Sequence, residues 1–159
     1  MSKLHVTQIA GYLQKNLEGK IDLSDYDHHK DQAERERAFL TRALATLAVS
    51  QLSDRPTTDF VEKVTDGSND GGIDLIHFNE KDKTLYLVQT KWHEDGNGSI
   101  AQGDMLKFIA GVKKIIDLRL DGFNQRVRNR TTDIKNAVYD ANAKIVLVVA
   151  HTGADHLSD

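Results

Sequence analysis

The sequence predicts an α/β fold in which helices flank a mixed β-sheet. Three observations support this prediction: a long segment with helical periodicity, two short runs with strand character, and one continuous apolar run. These segments are QAERERAFLTRALATLAVSQL, then GIDLIHF and TLYLVQTKW, then KIVLVVAH. Helical and strand segments therefore alternate along the chain, as they do in α/β proteins.

The first part of the chain predicts two helices joined by a polar connection. Residues 4–17 have loose helical periodicity, and IDLSDYDHHKDQ is polar and acidic. In the following segment, apolar residues such as Leu40, Ala43, Leu44 and Leu47 recur at spacings of three and four, which predicts one buried helical stripe. SDRPTT then ends the second helix.

Three runs after the second helix predict an antiparallel meander. They are DFVEKV, GIDLIHF and TLYLVQTKW, all rich in residues that favour strands. The loop TDGSNDGG connects the first two runs, and the polar turn NEKDK connects the second and third.

The last part of the chain predicts a long helix over residues 105–120, a second helix beginning near Thr132 and Asp133, and a fully buried strand KIVLVVAH. The 159 residues suit one domain, with a core over about residues 31–151. Because the chain ends soon after this strand, we expect it to be the N-terminal part of a longer protein.

Composition excludes several classes of function. The absence of cysteine excludes disulfides, cysteine-based zinc sites and thiol nucleophiles, and it favours a reducing cytoplasm. No segment approaches the roughly 20 apolar residues that span a bilayer, so we expect no membrane insertion. His28 and His29 have no carboxylates at ligand spacing, which argues against zinc.

Charge is unevenly distributed. The chain has a net charge of −3, yet residues 105–135 hold eight Lys or Arg against three Asp. Such a stretch predicts contacts with a nucleic-acid backbone, and a solvated helix face is the alternative. The expected backbone contacts are Lys107, Lys113, Lys114, Arg126, Arg128 and Arg130.

Polar residues meet at one end of the predicted hairpin. Side chains alternate along a strand, so Gln89 and Lys91 share a face of TLYLVQTKW. Two glycines precede Asp74 and let the chain bend, and pairing across NEKDK would bring Asp74 close to Gln89 and Lys91.

This constellation predicts a site that cuts phosphodiester bonds. The Asp74 carboxylate, the Gln89 amide and the Thr90 carbonyl would bind Mg²⁺ or Mn²⁺. The Lys91 ammonium would either orient or deprotonate the attacking water, and the sequence leaves both roles open.

The run DGGID, followed fifteen positions after Asp74 by QTK on an apolar strand, resembles the PD-(D/E)XK nuclease superfamily and most closely its Mrr-like variant. From Glu34 to His151 the chain also resembles the N-terminal domain of AIPR abortive phage infection proteins. The resemblance implies a restriction-endonuclease-like fold and a magnesium-dependent endonuclease that acts on DNA, with a role in phage defence.

In such nucleases, the helix before the sheet usually supplies a further glutamate that binds the metal. Glu36 is the preferred candidate because it precedes Phe39 and Leu40 by three and four residues, and Glu34 is the alternative. An ordinary first-turn acid that complements the helix dipole would explain Glu36 equally well. Similarly, Asp70 would either support the site or form a turn.

Gln89 departs from the commonest form of the superfamily, which has Asp or Glu there, but it matches the Mrr-like variant. One alternative is therefore an inactive nucleic-acid-binding domain. Another is a regulatory or protein-interaction domain that needs its missing C-terminal partner to act, which an unusually apolar surface near residues 144–150 and poor stability alone would favour. DNA or RNA as the substrate, and a homodimer as the assembly, stay open.

Overall fold

A computed structural model describes residues 1–28, 31–154 and 157–158. The helices are α1 (Lys3–Leu17), α2 (Gln32–Ser53), α3 (Gln102–Ile116), α4 (Gln125–Arg128) and α5 (Thr131–Val138). The strands are β1 (Leu75–Asn79), β2 (Thr84–Lys91), β3 (Ile100–Ala101), β4 (Lys144–His151) and β5 (Leu157–Ser158).

The two N-terminal helices form where the sequence predicts them. The Ser2 side chain caps α1 by accepting from the N–H of His5, and the Asp31 side chain caps α2. The connection between them contains a 3-10 turn at Ser24–Tyr26, and the predicted connection residue His29 lies outside the described residues.

A mixed three-stranded sheet has the order β1-β2-β4. β1 and β2 pair antiparallel with Leu75 opposite Val88, whereas β4 runs parallel to β2 with Val149 opposite Gln89. The predicted α/β fold with a mixed sheet flanked by helices is therefore confirmed.

The predicted strand DFVEKV is wrong. Residues Thr57–Lys63 form a 3-10 helix, and only the following Val64 makes a bridge, to Leu75. Thr57 and Phe60 are both buried, three residues apart. This spacing suits a 3-10 helix, in which residues i and i+3 share a face. The expected three-stranded meander is therefore a two-stranded hairpin.

The strand KIVLVVAH forms as β4, but the expectation of full burial is wrong. β4 pairs with β2 on one side and lies at the edge of this sheet. Ile145, Leu147 and Val149 share one of its faces and are exposed, Leu147 to 43%. A continuous apolar run predicts the strand but not its place in the sheet.

Apolar side chains fill both sides of the hairpin. Ile76, Phe78, Leu85 and Leu87 pack with residues of α3 and α5, including Phe108 and Ile134. Leu75, Tyr86 and Val88 pack on the other side with Ala45 and Val49 of α2. This packing fixes the two strand ends that carry the site. Among the described residues, no helix has the length and hydropathy needed to cross a bilayer.

Candidate metal site

A cavity of about 270 Å³ lies where the start of β1, the end of β2 and the first turns of α3 meet. Asp74, Gln89 and Lys91 all line it, as do Thr90 and Asp70. The antiparallel pairing of β1 with β2 brings Asp74 beside Gln89, because the Asp74 N–H donates to the Val88 carbonyl (2.7 Å). The structure therefore brings the three motif residues together.

Asp74 has a buried carboxylate with few partners. Its Oδ2 accepts from the N–H of Thr90 (2.6 Å) and from the Thr90 hydroxyl (2.9 Å). Burial raises the pKa of Asp74 to about 8, and the charges of Asp66 and Asp70 contribute in the same direction, while the Thr90 hydrogen bonds oppose them. Without a cation, Asp74 is therefore largely protonated near neutral pH.

Thr90, whose backbone carbonyl was the predicted ligand, contacts Asp74 through its N–H and hydroxyl. Its backbone N–H donates to the Asp74 carboxylate, and its hydroxyl, which has one proton, lies within hydrogen-bonding distance of both Asp74 Oδ2 (2.9 Å) and the Thr41 carbonyl of α2 (3.1 Å). These contacts make Thr90 the residue that orients Asp74.

Two further carboxylates complete an acidic cluster, which we call the aspartate triad: Asp66, Asp70 and Asp74. One carboxylate oxygen from each lies within 4.8 Å of the others, a spacing that could hold a metal ion. The loop before β1 shapes the triad, since the Gly72 N–H donates to Asp70 Oδ1 (2.7 Å). Gly72 has a φ of +77°, and an added Cβ would lie 3.0 Å from the Phe108 nitrogen of α3.

Gln89 presents an unsatisfied oxygen in the same cavity. Its amide nitrogen donates to the Asp104 carbonyl of α3 (3.1 Å), whereas its Oε1 is buried without a hydrogen-bond partner. The whole residue is only 7% exposed. A buried acceptor without a donor is costly, and a bound cation would satisfy it.

Asp104 connects the two predicted site residues of β2. Its backbone oxygen accepts from Gln89, and its carboxylate pairs with the Lys91 ammonium at 2.7 Å. The first turn of α3 thus fixes both side chains, a role that strand periodicity could not reveal.

The predicted position of Glu36 is wrong. Glu36 is exposed, accepts a hydrogen bond from the Gln14 side chain (3.1 Å) and lies outside the cavity lining. Glu34 is also exposed and outside this lining. Among the described residues of α2, Arg37 and Thr41 line the cavity instead. The helix is rotated so that Glu36 faces α1.

A buried arginine holds Asp66. Arg42 is fully buried, and its guanidinium contacts Asp66 Oδ2 (2.7 Å) and both carboxylate oxygens of Asp25 (2.8 and 2.6 Å). Arg126 of α4 joins this network, donating to the Asp66 carbonyl (2.7 Å) and to Asp22 Oδ2 (2.7 Å). The two arginines hold the loop that carries Asp66.

The predicted nucleic-acid contacts have different environments. Lys113, Lys114 and Arg128 are exposed. Arg126 is committed to the network around Asp66, and Arg130 lies largely buried beside Asp133 (3.7 Å). Lys107 lies in the site itself, 2.8 Å from Asp70 Oδ1. The basic stretch is therefore not one free surface.

Comparisons with known proteins find no match. No protein-family model, no curated protein and no solved structure is similar to this chain at a significant level. What the site can do chemically therefore follows from its own residues alone.

The donor set fits a hard divalent cation. Carboxylate and amide oxygens are its preferred ligands, and the triad together with Gln89 Oε1 supplies both kinds. The sequence pattern identified Asp74 and Gln89 and left Asp70 open, but it missed Asp66. The spacing of four between Asp66, Asp70 and Asp74 is a weak signal because these residues lie in a loop.

Proposed function

We propose that this chain is a metal-dependent nuclease domain with its active site at the aspartate triad, Gln89 and Lys91. The observation that carries the proposal is the buried Gln89 Oε1 without a partner, beside three carboxylates within 4.8 Å of one another. An ammonium, Lys91, stands at the same cavity. Carboxylates, an amide oxygen and an ammonium at one cavity are the groups that metal-assisted phosphodiester hydrolysis uses.

The triad and Gln89 Oε1 would hold Mg²⁺ or Mn²⁺, and the bound cation would stabilise negative charge developing on the phosphate. Asp74 must lose its proton to bind a cation. Because its pKa is raised to about 8, cation affinity should increase as the pH rises toward 8.

Lys91 is the candidate for handling the attacking water. Its ammonium is held by Asp104 and partly exposed at the cavity. An ammonium in this place orients a water molecule and stabilises developing anionic charge. Asp104 fixes its position, so Lys91 acts from a defined geometry.

Nucleic acid is the substrate class that the exposed cations favour. Lys113 and Lys114 are exposed and would contact phosphates, which would position a strand without reading its sequence. The Arg128 guanidinium is also exposed, but it donates to the Phe123 carbonyl and to Gln125 Oε1. The net charge of −3 suits local contacts rather than bulk coating. DNA and a role in phage defence follow from the sequence resemblance alone.

The test is nicking of supercoiled plasmid by the purified chain in Mg²⁺, Mn²⁺ or EDTA. Lys91→Ala and Asp74→Asn should abolish metal-dependent nicking, whereas Lys81→Ala, in the exposed turn between β1 and β2, should retain it. Equal nicking by all four proteins would identify a contaminant. No nicking by any of them would reject the proposal.

A second candidate function is protein interaction through β4. The exposed Ile145, Leu147 and Val149 form an apolar strip on the edge strand of the sheet. Exposed apolar strips on edge strands favour contacts with other chains. If a homodimer forms through this strip, Leu147→Glu should make the chain monomeric in sedimentation experiments, and an unchanged sedimentation profile would remove this role.

A further inference from the structure

The members of the aspartate triad have different counter-charges. Asp66 is paired with Arg42, which is fully buried and cannot leave. Asp70 is paired with Lys107, whose ammonium lies 2.8 Å from Asp70 Oδ1. Asp74 is held by Thr90 alone among the described contacts. Of the two paired carboxylates, Asp70 is therefore the one whose positively charged partner can move away.

Lys107 is suited to exchange. Its side chain is 57% exposed, whereas that of Asp70 is 7% exposed. The lysine side chain is a flexible stem of four carbons, so the ammonium can move into solvent with small strain. Because the lysine end of this ion pair is exposed, the pair contributes only modest stability, and a dication among three carboxylates gains much more.

We propose that Lys107 is a tethered cation of the triad, which a divalent cation must displace from Asp70 in order to bind. This inference rests on the proposed function, because it assumes that the triad binds a metal. It gives Lys107 a role other than the backbone contact that the basic stretch predicts. Lys107 would lower the metal affinity of the site.

The test measures Mn²⁺ binding by the loss of the free Mn²⁺ resonance in electron paramagnetic resonance. The proteins are the wild-type chain, Lys107→Met, Lys107→Arg and the matched control Lys113→Met, with Asp74→Asn marking loss of the site. Lys107→Met should bind Mn²⁺ about tenfold more tightly, because a unit positive charge no longer competes with the dication at a partly solvated site. Lys107→Arg and Lys113→Met should stay near the wild-type affinity.

Thermal unfolding distinguishes a folding defect of Lys107→Met from a change in its metal affinity. In EDTA, Lys107→Met should melt below the wild-type chain because Asp70 loses its partner, and added Mn²⁺ should raise its melting temperature more than that of the wild type. Equal or weaker Mn²⁺ binding by Lys107→Met, with a wild-type chain that binds, would overturn this inference and leave the proposed function intact. No Mn²⁺ binding by either protein would overturn both.

Discussion

Replacing Asp74 by asparagine tests whether this carboxylate costs the folded chain stability while no cation is bound. Asp74 is buried, and its two hydrogen-bond donors both come from Thr90. Asparagine keeps an oxygen that can accept from Thr90 and removes the charge. We therefore expect Asp74→Asn to unfold at a higher temperature than the wild-type chain in EDTA at pH 8.

The pKa of Asp74 sets the size and the pH dependence of this effect. The unfolded carboxyl ionises above its ordinary pKa of 3.8, whereas the folded carboxyl keeps its proton up to about pH 8. The folded state thus binds the extra proton, and stability falls as the pH rises from 4 to 8. The full difference corresponds to about 6 kcal/mol.

Asparagine recovers only part of this free energy, because its amide N–H groups also need partners. A net gain of about 2–3 kcal/mol corresponds to an increase of roughly 5–10 °C in melting temperature for a chain of this size. The increase should be smaller at pH 5, because burial of the Asp74 carboxyl lowers the stability of the wild-type chain less at this pH than at pH 8.

Scanning calorimetry at pH 5 and pH 8, in EDTA and in Mn²⁺, measures the effect. Asp121→Asn is the control, since Asp121 is exposed and should show no such pH-dependent gain. Mn²⁺ should stabilise the wild-type chain but not Asp74→Asn. A variant less stable than the wild type at pH 8 in EDTA would refute this explanation of Asp74.

Three other substitutions have defined outcomes. His77 is buried, both of its ring nitrogens lack hydrogen-bond partners, and burial lowers its pKa. The unfolded chain therefore binds a proton at a higher pH than the folded chain, and stability falls below about pH 6.5. His77→Phe should weaken this loss of stability in calorimetry, and an unchanged slope of stability against pH would contradict this explanation. Arg42→Met leaves the Asp66 carboxylate unpaired and leaves Asp25 with Arg126 alone, so it should cost about 3–5 kcal/mol in urea unfolding, with a cost under about 1 kcal/mol counting against the network. Glu36→Gln should leave Mn²⁺ affinity unchanged in a calorimetric titration, because Glu36 lies outside the cavity; a tenfold loss would restore it as a ligand.

The hairpin and the core of the site were predictable because both follow from local rules. Strand alternation placed Gln89 and Lys91 on one face, and a short polar turn set a register that brings Asp74 beside them. These predictions need no knowledge of the rest of the fold.

The contributions of helices and loops were not predictable in the same way. α2 is buried around most of its circumference, including residues Ala38, Phe39, Leu40 and Arg42. An apolar stripe therefore could not tell which side faces the cavity, and the choice of Glu36 failed. Asp66 and Asp104 enter the site through a loop and a helix start, whose positions depend on tertiary packing.

The exposure of the apolar run in β4 was not predictable for a similar reason. Hydrophobicity predicts a strand, but whether a strand has one or two neighbours depends on the topology of the sheet. The partial exposure of Ile145, Leu147 and Val149 thus appears only in three dimensions.

The position of a bound metal, in a crystal of the chain soaked in MnCl₂ at pH 8, would show whether the aspartate triad is a metal site. An anomalous difference map should show one peak within about 2.0–2.3 Å of an Asp74 carboxylate oxygen, with Gln89 Oε1 and Asp70 among its ligands. The Lys107 ammonium should have moved away from Asp70. No peak at the aspartate triad, with Asp74 still hydrogen-bonded only to Thr90, would show that the triad does not bind the metal.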